Sequence, residues 1–259
     1  MKRKTLNKSP LICSIGSTDP TNAAGIGRDL LIYERLGARG ALAIAAVTAQ
    51  NRQRVAEVYP LPPRALRNQL DAVMQERRPD ALRIGLLPDA PLIAVVARFL
   101  RAQRSKPPSV LDPVITSSSG HRFLGAAELG ALEGLLPLVT LATPNAAEAQ
   151  ALSGIRVRTI ADAERAAIRL RERGCTVLVT GGHLKGKEVV DVLADAQGVA
   201  HFRGTRIASR MRGAGCTLAA AIAVYLARGM QLRPAITRAR DVVRRELEAH
   251  RPRRVKGRA

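Results

Sequence analysis

A chain of 259 residues is long enough for one large domain or two small ones, and its 46% hydrophobic content can supply a core. Only 2% of the residues are aromatic and none is Trp, so that core has to be built from Ala, Leu, Val and Ile. A formal net charge of +21 would suit a nucleic-acid binder. The arginines, however, are scattered along nearly the whole chain and greatly outnumber the lysines, so nucleic-acid binding is not the expected main function.

No apolar run reaches the length of a membrane span. Gly16 to Asp19 interrupts the first apolar stretch too early for a signal peptide. Cys13, Cys175 and Cys216 are widely spaced, with no Cys-x-x-Cys and no His cluster. That pattern argues against a zinc site or a disulfide framework and fits a cytoplasmic protein.

Leu11–Ile15 reads as a strand, Gly25–Leu36 as a helix, Ala41–Thr48 as a strand and Pro63–Glu76 as a helix. Strand Leu82–Leu87 and helix Ala90–Arg104 follow, then strand Val110–Ile115 and helix Ala126–Leu135. Strand Val139–Ala142 precedes helices Ala146–Leu152 and Ile160–Arg173. Thr176–Thr180 and Val189–Leu193 read as strands, and Cys216–Arg228 and Arg233–Ala249 as the last two helices. Strands and helices alternating at this spacing predict βαβ units and a mainly parallel sheet covered on both faces. Continuous apolar strands such as Thr176-Val177-Leu178-Val179-Thr180 suit that burial. No repeat, linker or composition break divides the chain. Residues 10–250 are expected to form a single domain, with 1–9 and 251–259 as basic, flexible ends.

In open parallel sheets ligands collect at the carboxyl ends of strands. Polar and Gly-rich segments fall there repeatedly: Gly16 to Pro20, Gln50-Asn51, Asp112-Pro113, Thr143-Pro144-Asn145 and Gly181-Gly182-His183. The strongest local signal is Arg212-Gly213-Ala214-Gly215-Cys216-Thr217-Leu218, which opens a small-residue, apolar helix. A Gly-x-Gly turn at a helix start leaves backbone N–H groups unpaired at the positive end of the helix dipole. Glycine also lets a phosphate approach the backbone, so this is an anion hole. Cys216 sits in the first turn, where a thiol pKa tends to fall. No Walker A sequence occurs, which excludes a P-loop kinase.

The ordered series resembles a known family. Its elements are Gly16-Ser17-Thr18-Asp19-Pro20 with Ala24-Gly25-Ile26, Ala49-Gln50-Asn51, Ile84-Gly85 and Leu111-Asp112-Pro113-Val114. Thr143-Pro144-Asn145 with Glu148-Ala149, Gly181-Gly182-His183 and Gly213-Ala214-Gly215-Cys216-Thr217 complete it. Over roughly Pro10 to Ala249 it is similar to the hydroxymethylpyrimidine/phosphomethylpyrimidine kinases of thiamin biosynthesis, in the ribokinase-like superfamily. The Cys after Gly-x-Gly favours the vitamin-kinase branch, since the sugar kinases usually carry Asp there.

The resemblance implies a three-layer α/β/α sandwich that transfers the ATP γ-phosphoryl group to a hydroxymethylpyrimidine and then to its monophosphate. It makes Gly213, Ala214, Gly215 and Cys216 the anion hole, with Cys216 in the catalytic-base position. Gln50, Gly16, Asp19 and Gly25 fall in the substrate lobe. Asp112, Asn145, Thr180, Gly182 and Arg212 face the nucleotide, and Glu148 with Asn145 helps to hold Mg²⁺ through water. Local readings stand beside these. Asn145 and Glu148 can form a capping box; Asp19 before Pro20 and Asp112 can be turn formers; His183 reads as a loop histidine.

This chain departs from the family at Asn22-Ala23, where Gly-Gly is usual, and at Ser118 and Thr180, where lysines are common. Arg212 replaces the usual His, and its forked guanidinium suits a phosphate clamp. Pyridoxal kinase, and a catalytically weak kinase-fold protein with a ligand-binding or nucleic-acid-associated role, therefore stay open as alternatives. A homodimer stays open too; no membrane partner is expected.

Overall fold

The computed structural model describes residues 9–209 and 211–250. The expected basic ends lie outside these residues, apart from Ser9. Among the described residues nine strands form one sheet in the order β3-β2-β1-β4-β5-β6-β7-β8-β9. They are β1 (Leu11–Ser17), β2 (Arg39–Gln50), β3 (Val55–Pro60), β4 (Ala81–Ile84), β5 (Ser109–Leu111), β6 (Leu141–Ala142), β7 (Thr176–Val179), β8 (Glu188–Asp195) and β9 (Gly198–Thr205). The run from β2 through β1, β4, β5 and β6 to β7 is parallel throughout. β3 pairs antiparallel with β2, and β8 and β9 form an antiparallel hairpin beyond β7.

Among the described residues eight α-helices complete the layers: α1 (Gly25–Arg35), α2 (Pro63–Glu76), α3 (Ala90–Ala102), α4 (Ala126–Glu133), α5 (Ala146–Ser153), α6 (Ile160–Arg171), α7 (Ala214–Ala227) and α8 (Leu232–Ala249). One face of the sheet packs against α2 to α6, with Leu66, Leu92, Val96, Leu152 and Leu170 in its core. The other packs against α1, α7 and α8 around Ile32, Ile222, Val224 and Ile236. The three-layer α/β/α expectation therefore holds. Helix α7 is apolar all round, and Ala219 through Val224 are fully buried. Such a helix needs neighbours on every side, and it finds them in β4, β5, α1 and α8.

The chain order reverses between β1 and β4, which places the topological switch point there. Gly16 and Gly85 meet across it: a β-carbon on Gly16 would lie 3.5 Å from the Gly85 α-carbon. The structure shortens several expected strands. β4 stops at Ile84 rather than Leu87, and β5 stops at Leu111 rather than Ile115, so Gly85 and Asp112 stand just beyond the sheet. α7 begins at Ala214, two residues before the expected start. β3 and β9 were not expected at all. Both are edge strands whose residues are mostly exposed, so neither carries a buried face that a hydrophobic pattern would reveal.

Candidate active site

The Gly213–Cys216 turn is built as its sequence requires. Gly213 takes a left-handed conformation (φ 77°) as the residue capping α7, a conformation glycine adopts without steric cost. A β-carbon there would fall 2.1 Å from the Ala23 carbonyl oxygen, so the loop after β1 packs directly on the loop before α7. Gly25 is the matching piece on the other side. Its φ is 65°, and a β-carbon would sit 2.5 Å from the Ser17 carbonyl. The Gly25 N–H faces the Cys216 sulfur. Gly16, Gly25 and Gly213 to Cys216 are therefore drawn together around the switch point.

Asp19 is buried and organises the loop after β1. Its Oδ1 accepts from the Thr21 N–H (3.0 Å) and hydroxyl (2.9 Å), and its Oδ2 accepts from the Ala24 N–H (3.1 Å). Asn22 adopts a left-handed φ of 52°. Asn tolerates that region better than most residues, and its side chain lies over Gly27, where a β-carbon would clash at 2.1 Å. Gln50 ends β2; its Nε2 reaches the Thr18 carbonyl at 3.4 Å. The Arg212 guanidinium donates to Gln50 Oε1 and to the Asn51 carbonyl and lies 3.6 Å from Asp19 Oδ2. Sequence reasoning placed Arg212 with the nucleotide residues. The structure gives it Gln50, Asn51 and Asp19 as partners, because the buried Asp19 carboxylate and the Gln50 amide supply its acceptors.

Asn145 and Glu148 form a reciprocal capping box at the start of α5. Asn145 Oδ1 accepts from the N–H groups of Ala147 (2.9 Å) and Glu148 (3.1 Å), and Glu148 Oε2 accepts from the Asn145 N–H (2.9 Å). Burial pushes the Glu148 carboxyl up to about 8, and the nearby charge of Asp112 pushes in the same direction. Thr180 sits beside Asn145 as a bridge partner, its N–H donating to the Pro144 carbonyl. Gly181 donates to Asp191 Oδ1 (2.7 Å), whose other oxygen takes Arg240 Nε (2.8 Å). Gly182 is exposed, with open space where a β-carbon would stand. His183 is exposed in a short 3-10 turn, a loop histidine as read from the sequence.

Asp112 lies under the anion loop, with its Oδ1 3.7 Å from where a Gly215 β-carbon would be. Its Oδ2 accepts from Arg83 Nη2 at 2.6 Å. Sequence reasoning missed Arg83, together with Asp29 behind it. The available signal was a lone charge inside the apolar strand Ala81-Leu82-Arg83-Ile84. Burial lifts Asp29 to about 6 against the opposing pull of Arg83. Burial likewise pushes the Cys216 thiol up to about 12, and the Arg83 charge only partly offsets it. This corrects the expectation of a lowered thiol pKa: loss of water around the sulfur outweighs the helix terminus, and the unliganded chain holds a protonated thiol.

The three-layer fold and its glycine-framed loop at the switch point are those of the ribokinase-like kinases. The comparisons agree. The phosphomethylpyrimidine kinase family model matches residues 19–258, and the chain belongs to that family. It is 36% identical to a hydroxymethylpyrimidine/phosphomethylpyrimidine kinase of Streptomyces coelicolor over 90% of this chain and 87% of that one. A crystal structure of phosphomethylpyrimidine kinase from Clostridium difficile 630 superposes with a TM-score of 0.80 at 30% identity, covering 92% of this chain and 99% of the other. Pyridoxal kinase from Staphylococcus aureus in complex with ADP gives a TM-score of 0.85 at 28% identity, over 93% and 88%. The chain spans about half the length of the bifunctional thiamine-biosynthesis relatives it matches (48% of each). Among the described residues no helix is long and apolar enough to cross a membrane.

Proposed function

We propose that the chain is an ATP-dependent kinase acting on 4-amino-5-hydroxymethyl-2-methylpyrimidine and then on its monophosphate, in one site. The observation that carries this reading is the position of the Gly213–Cys216 loop. It stands over Asp112 and against Gly25, between a lobe bearing Gln50 and Asp19 and a side bearing Asn145, Glu148, Thr180 and Gly182. The pyrimidine enters on the first side, and an amide such as Gln50 can match an aminopyrimidine edge. ATP lies on the second side.

The acceptor oxygen attacks the γ-phosphorus, the bond to the bridging oxygen of ADP breaks, and ADP leaves. Charge in this loose transition state spreads over the phosphoryl oxygens, so fixed N–H donors at a helix start suit it. The Cys216 thiol is protonated at rest, which gives its sulfur an orienting role toward the substrate hydroxyl. The hydroxyl keeps its proton until the new O–P bond has largely formed, and the proton then passes through the product phosphate to solvent.

The residues fit a magnesium ion held largely by phosphate oxygens and water. Among the described residues no group of three His, Cys, Asp or Glu converges into a protein-only cage, and Mg²⁺ needs few carboxylates. The Asp112 charge raises the cost of ionising Glu148, which a nearby cation relieves. Glu148 would hold the ion through water while Asn145 holds Glu148. When bound, the ion neutralises phosphate charge. The net charge of +21 draws in the anionic monophosphate and ATP.

The test is ATP consumption with the hydroxymethylpyrimidine, its monophosphate and pyridoxal in parallel. Turnover of both pyrimidines is expected. Turnover of pyridoxal alone moves the chain to the other vitamin kinase, and no turnover of any of the three sinks the kinase reading.

A further inference from the structure

Arg83 is 1% exposed, inside the sheet at the switch point, and it is flanked by Asp29 (0%) and Asp112 (5%). Burying such ions costs free energy that packed apolar side chains would not. The pairing is also lopsided. Arg83 Nη2 meets Asp112 Oδ2 at 2.6 Å, whereas its Nε stands 3.4 Å from Asp29 Oδ2 without forming a hydrogen bond. Arg83 Nε and both carboxylate oxygens of Asp29 make no well-formed hydrogen bond, although the Ser14 hydroxyl lies near enough to Asp29 to favour its charged form. Buried polar atoms left in this state call for an explanation other than stability.

Gly85 supplies the second observation. A β-carbon there would lie 2.0 Å from Arg83 Nη1, so the guanidinium is folded over the Gly85 backbone. The Ile84-Gly85 pair thus has a physical reason: only glycine leaves room for the Arg83 head. From there the contacts run upward. Arg83 holds one oxygen of Asp112, the other lies beneath Gly215, and Cys216 is close enough to feel the Arg83 charge.

We propose that Arg83 is a positioning residue for phosphoryl transfer: seated over Gly85, it fixes the Asp112 carboxylate beneath the Gly213–Cys216 loop and offsets that carboxylate's negative charge where phosphoryl charge collects. Asp29 holds the guanidinium from behind and keeps it from swinging toward the loop as a direct ligand. The inference rests on reading Gly213–Cys216 as the phosphoryl loop.

The experiment compares Arg83→Met, Arg83→Lys and Gly85→Ala in the full chain, by steady-state kinetics and by iodoacetamide labelling of Cys216 at pH 9 read on its own peptide. Arg83→Met is expected to lower kcat per folded molecule by about 100-fold, the scale of losing one transition-state donor, with both KM values within about threefold. Arg83→Lys restores the charge without the fork and recovers part of that loss. Gly85→Ala keeps the charge but displaces it, and falls between. Labelling of Cys216 slows at least several-fold in Arg83→Met and returns toward wild type in Arg83→Lys.

Folded Arg83→Met with wild-type kcat overturns the proposal. So does a loss shared by kcat and both KM values that lysine does not rescue. If Arg83→Met does not fold, the other two variants decide, and wild-type kcat and labelling in both overturns it. If the wild-type protein turns over no pyrimidine, the functional reading fails, and the labelling series still tests the charge beneath the loop.

Discussion

The Gly213 α-carbon is pressed against the carbonyl oxygen of Ala23, so closely that a β-carbon would sit 2.1 Å away. The contact joins the two glycine-bearing loops that frame the site, and Gly213 holds a φ of 77° while making it. Gly213→Ala therefore meets two penalties. The left-handed backbone costs about 1–2 kcal/mol for a residue with a β-carbon, and the clash pushes the α7 start away from α1. We expect the protein to fold with a lowered Tm and to lose about 100-fold or more in kcat, the scale seen when oxyanion-type donors are misplaced. A Gly213→Ala protein with wild-type kcat would show that the loop does not carry the phosphoryl group.

Cys216 can be tested as orienting group against base. Serine keeps a hydrogen-bonding atom and alanine removes it. If Cys216 orients, Cys216→Ser retains activity within about tenfold, whereas Cys216→Ala falls by about 100-fold; a base would lose about 100-fold or more in both. Equal losses in the two variants would reassign Cys216 to proton abstraction.

The protonation state of Cys216 has its own consequence. Burial holds the thiol near about 12, well above its ordinary value. Only the thiolate reacts with alkylating agents, and its fraction rises tenfold per pH unit while the pH stays below the pKa. Alkylation of Cys216 by iodoacetamide in the unliganded protein should therefore climb steadily from pH 7 to pH 10 with no plateau. A plateau near pH 7 would mean that the helix terminus, not burial, governs this thiol.

The Gly213–Cys216 turn was legible in the sequence because its demands are local. Gly213 and Gly215 are needed for backbone geometry within four residues, and an apolar helix follows at once. The parallel core was legible too, since β4, β5 and β7 are short apolar runs buried on both faces. β3 and β9 were not, because edge strands such as Val55–Pro60 leave most of their residues exposed. Arg83 was missed for another reason: its one local mark is a charge inside an apolar strand, and its partners Asp29 and Asp112 are set by the fold rather than by spacing. Arg212 shows the limit from the other side. Its charge suggested phosphate, but its partners Gln50 and Asn51 lie far away in the chain and arrive only through the sheet.

Glu148 can be separated from its cap. Glu148→Gln keeps a side-chain oxygen for the Asn145 N–H, so the capping box survives and stability should change by less than about 1 kcal/mol. The charge that would face Mg²⁺ is gone. The Mg²⁺ concentration for half-maximal turnover should rise about tenfold or more, matching a loss of about 1.4 kcal/mol or more. Asn145→Ala should do the reverse and lower the Tm first, since it removes two capping bonds. An unchanged Mg²⁺ requirement in Glu148→Gln would leave Glu148 as a cap alone.

Arg206 shapes the loop between Gly181 and β8. Its Nη1 donates to the Gly182 carbonyl at 2.7 Å and its Nε to the Gly186 carbonyl at 2.9 Å, and its Nη2 reaches the carbonyls of Leu184 and Glu188. One guanidinium thus gathers four carbonyls of a segment that has little apolar burial of its own. Hydrogen bonds to a charged group are worth about 1.5–3 kcal/mol each when well formed, less where water competes as it does here. Arg206→Ala should loosen the loop without touching the sheet. We expect the KM for ATP to rise about tenfold, the equivalent of about 1.4 kcal/mol, while the KM for the pyrimidine stays within about twofold. Equal shifts in the two KM values would show that the loop does not belong to the nucleotide side.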